Sequence, residues 1–343
     1  MQNDSNYKLA QWWESTDSGK LLCTLCPRYC KIGEGQAGFC FIRQNINGKL
    51  YSIGYGRPTG FAIDPIEKKP LHHFYPGSGI LSFGTAGCNL GCKFCQNWSM
   101  SKAKIADSNA LHVTPEDVIK LAKKHNVNSI AYTYNDPTIF GEYVIDISKL
   151  ARDEGISSVM VTAGYIDKNA RKDVYKYIDA ANVDLKSFSD VFYRKLTLSN
   201  LKDVLDTLLW LKNETDVWFE ITTLLIPEEN DSESEIKKMC EWILTNLGDS
   251  VPLHFTAFHP DFKMTDKPPT PQKTINNARK IAISEGINYC YTGNVYDPGG
   301  QTTCCPACKS KLIERDWHSV NSNIIKNGKC PKCDNKIAGI FVP

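Results

Sequence analysis

Residues 77–98, GSGILSFGTAGCNLGCKFCQNW, decide how the rest of this 343-residue chain is read. The first half is a short apolar run bounded by glycines, which predicts a buried strand. The second half sets Cys88, Cys92 and Cys95 in C-x3-C-x2-C spacing directly behind that strand. Three thiolates hold only three irons of a four-iron cluster, so the fourth iron is left free for a small-molecule ligand. A structural zinc knot wants four closed ligands, and none of the ten residues after Cys95 is Cys or His. The trio therefore predicts an open, reactive iron–sulfur site.

From the trio to about Pro298, short β-rich runs alternate with longer helical segments, an α/β signature. Strand-like runs cover 80–84, 129–134, 157–162, 183–186, 217–222, 252–258 and 288–292. Helical patterns cover 138–154, 168–180, 201–212, 232–245 and 271–285. A further helix is expected from Pro115, with Thr114 and Asp117 as a variant of the capping box. Six or seven such units predict a partial (β/α)6-type TIM barrel over residues 77–298. An open dinucleotide-binding sheet is the alternative, but no G-x-G-x-x-G follows the first strand, where that fold would place it. In a barrel, chemistry gathers on loops at the C-terminal ends of the strands. Those positions hold the trio, Asn135-Asp136-Pro137, Ala163-Gly164-Tyr165, Asp184-Leu185-Lys186, Thr222-Thr223 and Thr292-Gly293-Asn294. Singly each reads as a turn, a surface pair or a strand end, but their shared place predicts one polar rim.

The chain has 14 cysteines, most in close groups instead of spread as disulfide partners, which favours a reducing compartment. Residues 1–76 form a predicted Cys-rich N-terminal module, with Cys23, Cys26, Cys30 and Cys40 among Pro27, Gly33, Gly35 and Gly38. Four thiolates in so loop-rich a segment suit a tetrahedral zinc or a closed auxiliary iron–sulfur cluster, and the spacing does not choose between them. Residues 299–343 form a predicted C-terminal module. Its two C-P-x-C knuckles, Cys305/Cys308 and Cys330/Cys333, stand 21 residues apart and predict a zinc-ribbon-like site with Cys304 as a non-ligand.

A formal net charge of +2 and the lack of a dense basic face with interleaved aromatics argue against nucleic acid as a partner. No run of about 18 apolar residues and no basic-then-apolar N-terminus is found, so a soluble, cytoplasmic protein with no membrane association is expected. The adjacent His72 and His73 would point to opposite faces of a strand and are read as structural or substrate-facing, not as joint metal ligands. Trp12 and Trp13 are expected to pack the N-terminal module, and Cys240 to be buried in a helix.

With Phe94 directly before its last cysteine, the trio resembles the cluster loop of radical S-adenosylmethionine (SAM) enzymes. The segments DPIEKKPLHHFYPGS, AYTYNDPTIF, DLKSF, TTLLIPEEND and YTGNV, together with CTLCPRYC and the cysteine-rich tail, narrow the resemblance. They resemble the radical SAM component of the AmmeMemoRadiSam system, a group similar to pyruvate formate-lyase activating enzymes. The resemblance implies that Cys88, Cys92 and Cys95 ligate a [4Fe-4S] cluster whose remaining iron takes the amino and carboxylate groups of SAM. Reductive cleavage would then yield methionine and a 5′-deoxyadenosyl radical that abstracts hydrogen from a peptide, protein or small-molecule substrate. Implied partners are a flavodoxin- or ferredoxin-like electron donor and Memo-like and Ammecr-like proteins. Phe94 is implied near the adenine, Asn135 and Asp136 at the SAM amino group, and Lys186 and Asn294 at its carboxylate or ribose. Two positions depart from the family pattern: Asp136 stands where Glu is usual, one methylene shorter, and Ala163 stands where Asn is usual. The alternatives are a glycyl-radical-enzyme activating enzyme and, outside catalysis, an iron–sulfur and zinc scaffold that docks a partner.

Overall fold

Strands that lie parallel need a long crossover between them, and the alternation of strand and helix in residues 77–298 supplies it. The computed structural model describes residues 7–105 and 111–342. The first six residues of the N-terminal stretch lie outside that range. Six short strands come first: β1 (Lys8–Leu9), β2 (Trp13–Ser15), β3 (Leu21–Cys23), β4 (Lys31–Ile32), β5 (Arg43–Ile46) and β6 (Lys49–Ser52). They pair as two antiparallel sheets, β1-β6-β5 and β2-β3-β4.

The main sheet has eight strands: β7 (Thr59–Pro65), β8 (Gly79–Gly84), β9 (Ser129–Tyr132), β10 (Ser157–Thr162), β11 (Ala180–Asp184), β12 (Trp218–Leu225), β13 (Leu253–Ala257) and β14 (Cys290–Gly293). Their spatial order follows the chain from β7 at one edge to β14 at the other. β8 to β14 run parallel, and β7 pairs antiparallel with β8. The crossovers carry α1 (Trp98–Ser101) and α2 (Pro115–Lys124), then α3 (Gly141–Asp153), α4 (Lys168–Val174), α5 (Asp190–Phe192) with α6 (Leu201–Glu214), α7 (Glu233–Asn246) and α8 (Gln272–Glu285). This is an α/β fold with a central parallel sheet, consistent with a partial barrel. The capping box of α2 forms, with Thr114 Oγ accepting from the Asp117 amide and the Asp117 carboxylate accepting from the Thr114 amide.

Two departures from the sequence expectation have physical causes. The expected strand at 183–186 lies at Ala180–Asp184, and the helix expected to reach residue 180 ends at Val174, followed by a short 3-10 turn. Ala180 and Ala181 carry no strand signal, yet a parallel strand covered on both faces accepts small residues where neighbours crowd it. β7 was not expected at all and falls within residues 1–76. As an edge strand it exposes most of its side chains and shows no alternation to read.

One face of the main sheet carries the helices and the large core, including Phe83, Tyr132, Met160 and Val183. On the opposite face, Ile66, Leu71 and Phe74 pack against Ile80, Ala131, Val159 and Ala180. The segment between β7 and β8 thus fills the lower part of the helix-free face. The tail, α9 (Pro298–Gln301), β15 (Thr303–Cys304), β16 (Lys311–Asp316) and β17 (Ser319–Asn323), packs a third apolar cluster onto Tyr289 and Tyr291. Arg315, fully buried, fastens it by donating to the carbonyls of Gln301 and His72.

Candidate functional site

Above this filling, at the C-terminal ends of β8 to β11, a cavity of about 360 Å³ opens on the helix-free face. Residues on that face alternate along each strand. Thr133 continues the row of Ala131, Val161 that of Val159, and Asp184 that of Ala180, and all three line the cavity. Cys88, Cys92 and Cys95 line the same cavity, as do Lys68 and Lys69 from the turn after β7. Among the described residues lining it there is no fourth cysteine and no histidine.

The cluster loop is held by bonds to its neighbours. The Asn135 side chain accepts from the Thr85 amide (3.2 Å) and donates to the Gly87 carbonyl (2.7 Å). Asn89 donates to the Tyr165 carbonyl, and Lys102 to that of Leu90. Burial pushes the Cys88 thiol up to about 11, with Asp136 adding to the rise, and burial pushes Cys92 up to about 12.

Asp136 sits at the junction of β9 and β10. It is buried and accepts from the amides of Thr138 (2.9 Å) and Ala163 (2.9 Å) and from the Thr162 hydroxyl (3.2 Å). Burial raises its pKa, and these donors oppose the rise. The shorter carboxylate is therefore engaged with its own chain, tying two strand ends together. Lys186 and Asp184 form an ion pair (2.8 Å) in the cavity wall. Burial works against the Lys186 charge, but the paired Asp184 carboxylate outweighs it and keeps the ammonium protonated. At the other side, Lys69 is buried against Asp64 (2.6 Å), and Tyr134 donates to the same carboxylate.

Of the expected site residues, the cavity brings together Cys88, Cys92, Cys95, Asn135, Asp136 and Lys186. It does not include Phe94 or Asn294. Phe94 is buried against Phe192, and Asn294 donates to the Ala257 carbonyl at the far edge of the sheet. Lys69, Thr162, Asn97 and Ser101 line the cavity without having been singled out from sequence. Lys69 carried a signal, the unusual KKP turn, but its reach into the site depends on the unexpected edge strand.

His72 and His73 lie beneath the cavity, where both their amides donate to the Glu220 carboxylate. His254 bonds the same carboxylate (2.7 Å), and His73 bonds Tyr291 and the Ala338 carbonyl. The two imidazoles are packed against other side chains, and burial pushes His73 down to about 4. Trp12 packs between the N-terminal module and α3, next to Gly141, and Cys240 is buried in α7.

The N-terminal module presses on the cluster loop. Cys40 places its carbonyl where a side chain on Gly87 would stand, and Arg28 donates to the Asn89 carbonyl, so both neighbours of Cys88 are clasped. Arg43 and Glu142, both buried, join the module to α3 through two 2.9 Å hydrogen bonds. In the tail, the thiols of Cys305, Cys308, Cys330 and Cys333 lie within 4.8 Å of one another, with Cys304 outside the group. Cys305 to Cys333 and Cys308 to Cys330 are each 3.6 Å. This is a four-thiol site sized for one metal ion. No helix among the described residues is long and apolar enough to cross a membrane.

The Radical SAM superfamily matches residues 83–243, from the end of β8 into α7. An uncharacterized protein of Methanocaldococcus jannaschii is 42% identical over 332 residues, covering 96% of this chain and 98% of that protein. The pyruvate formate-lyase-activating enzyme of Clostridium pasteurianum is 25% identical over 183 residues, 50% of this chain and 72% of its own. A solved domain of a pyruvate-formate lyase-activating enzyme from Bacteroides vulgatus is similar at 19% identity and a TM-score of 0.42, covering 48% of this chain and 98% of that domain. The superfamily consists of enzymes, which sets aside the scaffold reading. The family match over residues 83–243, with the cysteine trio inside it at the end of a parallel strand, shows that this chain carries a domain of the radical SAM superfamily.

Proposed function

We propose that this protein binds a [4Fe-4S] cluster through Cys88, Cys92 and Cys95, cleaves SAM reductively and uses the radical to take hydrogen from a peptide, protein or small-molecule substrate. The observation that carries this reading is the shared cavity, where three thiols, with no fourth cysteine and no histidine among the described residues lining it, meet the strand ends that carry Asp136, Asp184 and Lys186. The cluster supplies the electron that breaks the sulfonium bond, and the protein supplies binding, orientation and exclusion of water. Lys186, kept protonated by Asp184, offers a cation to the SAM carboxylate. Asp136 acts as a positioning residue, tying the turn after β9 to the Thr162-Ala163 turn, while the neighbouring Asn135 bonds Thr85 and Gly87 of the cluster loop. The electron comes from a flavodoxin- or ferredoxin-like protein, and Memo-like and Ammecr-like proteins are proposed partners. The tail tetrad is proposed to hold zinc, since its sulfur separations suit one tetrahedral ion.

The likeness to pyruvate formate-lyase-activating enzymes favours, as a second reading, a glycyl-radical enzyme as the substrate. The test is anaerobic reconstitution with iron and sulfide, followed by dithionite and SAM and quantification of 5′-deoxyadenosine and methionine. Both products are expected from the wild type and neither from Cys92→Ala. An intact four-iron cluster that yields neither overturns the proposal. Mixing with a candidate glycyl-radical enzyme and recording its EPR spectrum separates the two readings.

A further inference from the structure

We infer that Lys68 and Lys69 form a subsite for an anionic group, a carboxylate or a phosphate, carried by the substrate that shares the cavity with the cysteine trio. The starting point is an imbalance of charge around one carboxylate. Asp64 holds Lys69 at 2.6 Å and Lys68 at 3.0 Å, and it also accepts from the Tyr134 hydroxyl at 3.1 Å. Two ammonium groups thus share one carboxylate, and Tyr134 takes part of what that carboxylate can accept. Lys69 is the more enclosed of the two, with its side chain 3% exposed against 53% for Lys68. An ammonium has three N–H donors. Among the described residues, the one hydrogen-bond acceptor of Lys69 Nζ is Asp64. The Tyr134 ring, centred 5.0 Å from that nitrogen, adds attraction for the charge but takes no conventional hydrogen bond. Buried charged donors without acceptors are costly, and a second anion would engage them.

The place of the pair points to the same occupant. Both lysines line the cavity, as do Tyr134 and the trio. The other charged side chains lining it are engaged already: Lys186 with Asp184, and Asp136 with Thr138, Thr162 and Ala163. The unmatched positive charge therefore falls at Lys68 and Lys69. Register sets the depth of their anchor. Asp64 pairs with Ile80, four residues before β8 ends at Gly84. At about 3.3 Å per residue, that pairing lies about 13 Å along the strand from the end where the cluster loop departs. A molecule seated at the trio and a group held by the lysines would thus occupy different depths of one cavity, as hydrogen transfer between two bound molecules requires. A lysine ammonium is a compact charge with rotatable donors, which suits carboxylate and phosphate alike. The role of the anion as part of a substrate rests on the function proposed above, whereas the anion subsite does not.

The test uses the reconstituted full chain at low ionic strength, titrated anaerobically in a calorimeter with inorganic phosphate and with acetate. The wild type is expected to bind at least one of the two, and the tighter one names the group. Lys69→Met leaves Asp64 its bonds to Lys68 and Tyr134, and it is expected to weaken that probe about tenfold. Lys68→Gln, at a half-exposed position where folding is not at stake, is expected to weaken it by a smaller factor. Binding of neither probe, or equal affinity in the wild type and both variants, overturns the inference. Saturating SAM then decides whose anion is recognised. A probe that still binds the wild type beside SAM supports a substrate group, while a probe displaced by SAM assigns the lysines to the SAM carboxylate and overturns the inference. Failure of the SAM reading shows separately, as a wild type that makes no deoxyadenosine with dithionite whatever its affinity for the probes.

Discussion

Replacing Gly87 by alanine should separate the two halves of this protein. Gly87 has φ of +90°, a region that an L-residue occupies at a cost of about 1–2 kcal/mol. Its added Cβ would stand 2.0 Å from the Cys40 carbonyl oxygen. That atom is backbone and cannot rotate away, so overpacking of about 1–3 kcal/mol is added, for a total of about 2–5 kcal/mol. Gly155 provides the control, with φ of +68° and nothing within 4 Å of an added Cβ. Gly155→Ala therefore carries the conformational cost alone, about 1–2 kcal/mol. Both variants regain about 0.4–1 kcal/mol from a stiffer unfolded chain, so that contribution cancels in the comparison. Anaerobic urea unfolding of the reconstituted proteins, run side by side, should show Gly87→Ala less stable than Gly155→Ala by about 1–3 kcal/mol. Deoxyadenosine formation should fall only in Gly87→Ala, because the carbonyl pressed against it moves with the loop that carries Cys88. If the two variants unfold together and make product equally, the module does not bear on the cluster loop.

Glu142→Ala should cost about 3–5 kcal/mol, because it strands the buried Arg43 guanidinium, whereas Arg43→Met with Glu142→Leu should cost clearly less. Equal losses in denaturant titrations would contradict the pairing. Between pH 6.5 and about 4 the unfolded chain binds a proton at His73 that the folded chain refuses. Stability should therefore fall as pH is lowered across that window, by at most about 3.5 kcal/mol at about 1.4 kcal/mol per unit, and His73→Gln should flatten the slope. An unchanged slope would place His73 outside this linkage. Cys308→Ser should release the tail's metal while sparing iron, as read by parallel zinc and iron analysis. Loss of iron without loss of zinc would reverse the assignment of the tail.

The legible parts of this protein were those whose signal is local. The trio and the two C-P-x-C knuckles are short motifs, and the knuckle repeat alone separated Cys305 from Cys304. The seven parallel strands showed themselves as apolar runs, except where β11 begins on Ala180-Ala181 and resembles the helix before it. β7 stayed hidden because an edge strand buries little. The rim residues were harder. Lys186 and Asn294 both follow strands, but β11 borders the cavity and β14 ends the sheet on its far side. Phe94 is adjacent to a cysteine in sequence, yet its ring turns to Phe192 and the core.

Sequence alone determined the chemistry on offer: an incomplete set of thiols behind a strand, two complete sets beside it, and carboxylates and lysines at strand ends. Those properties belong to residue types and short spacings, which need no fold to exist. Tertiary structure decided which of these groups meet, because register, strand order and loop docking join residues distant in the chain. It placed Lys69 beside the cavity, turned the Asp136 carboxylate onto Thr138, Thr162 and Ala163, and set Cys40 against Gly87.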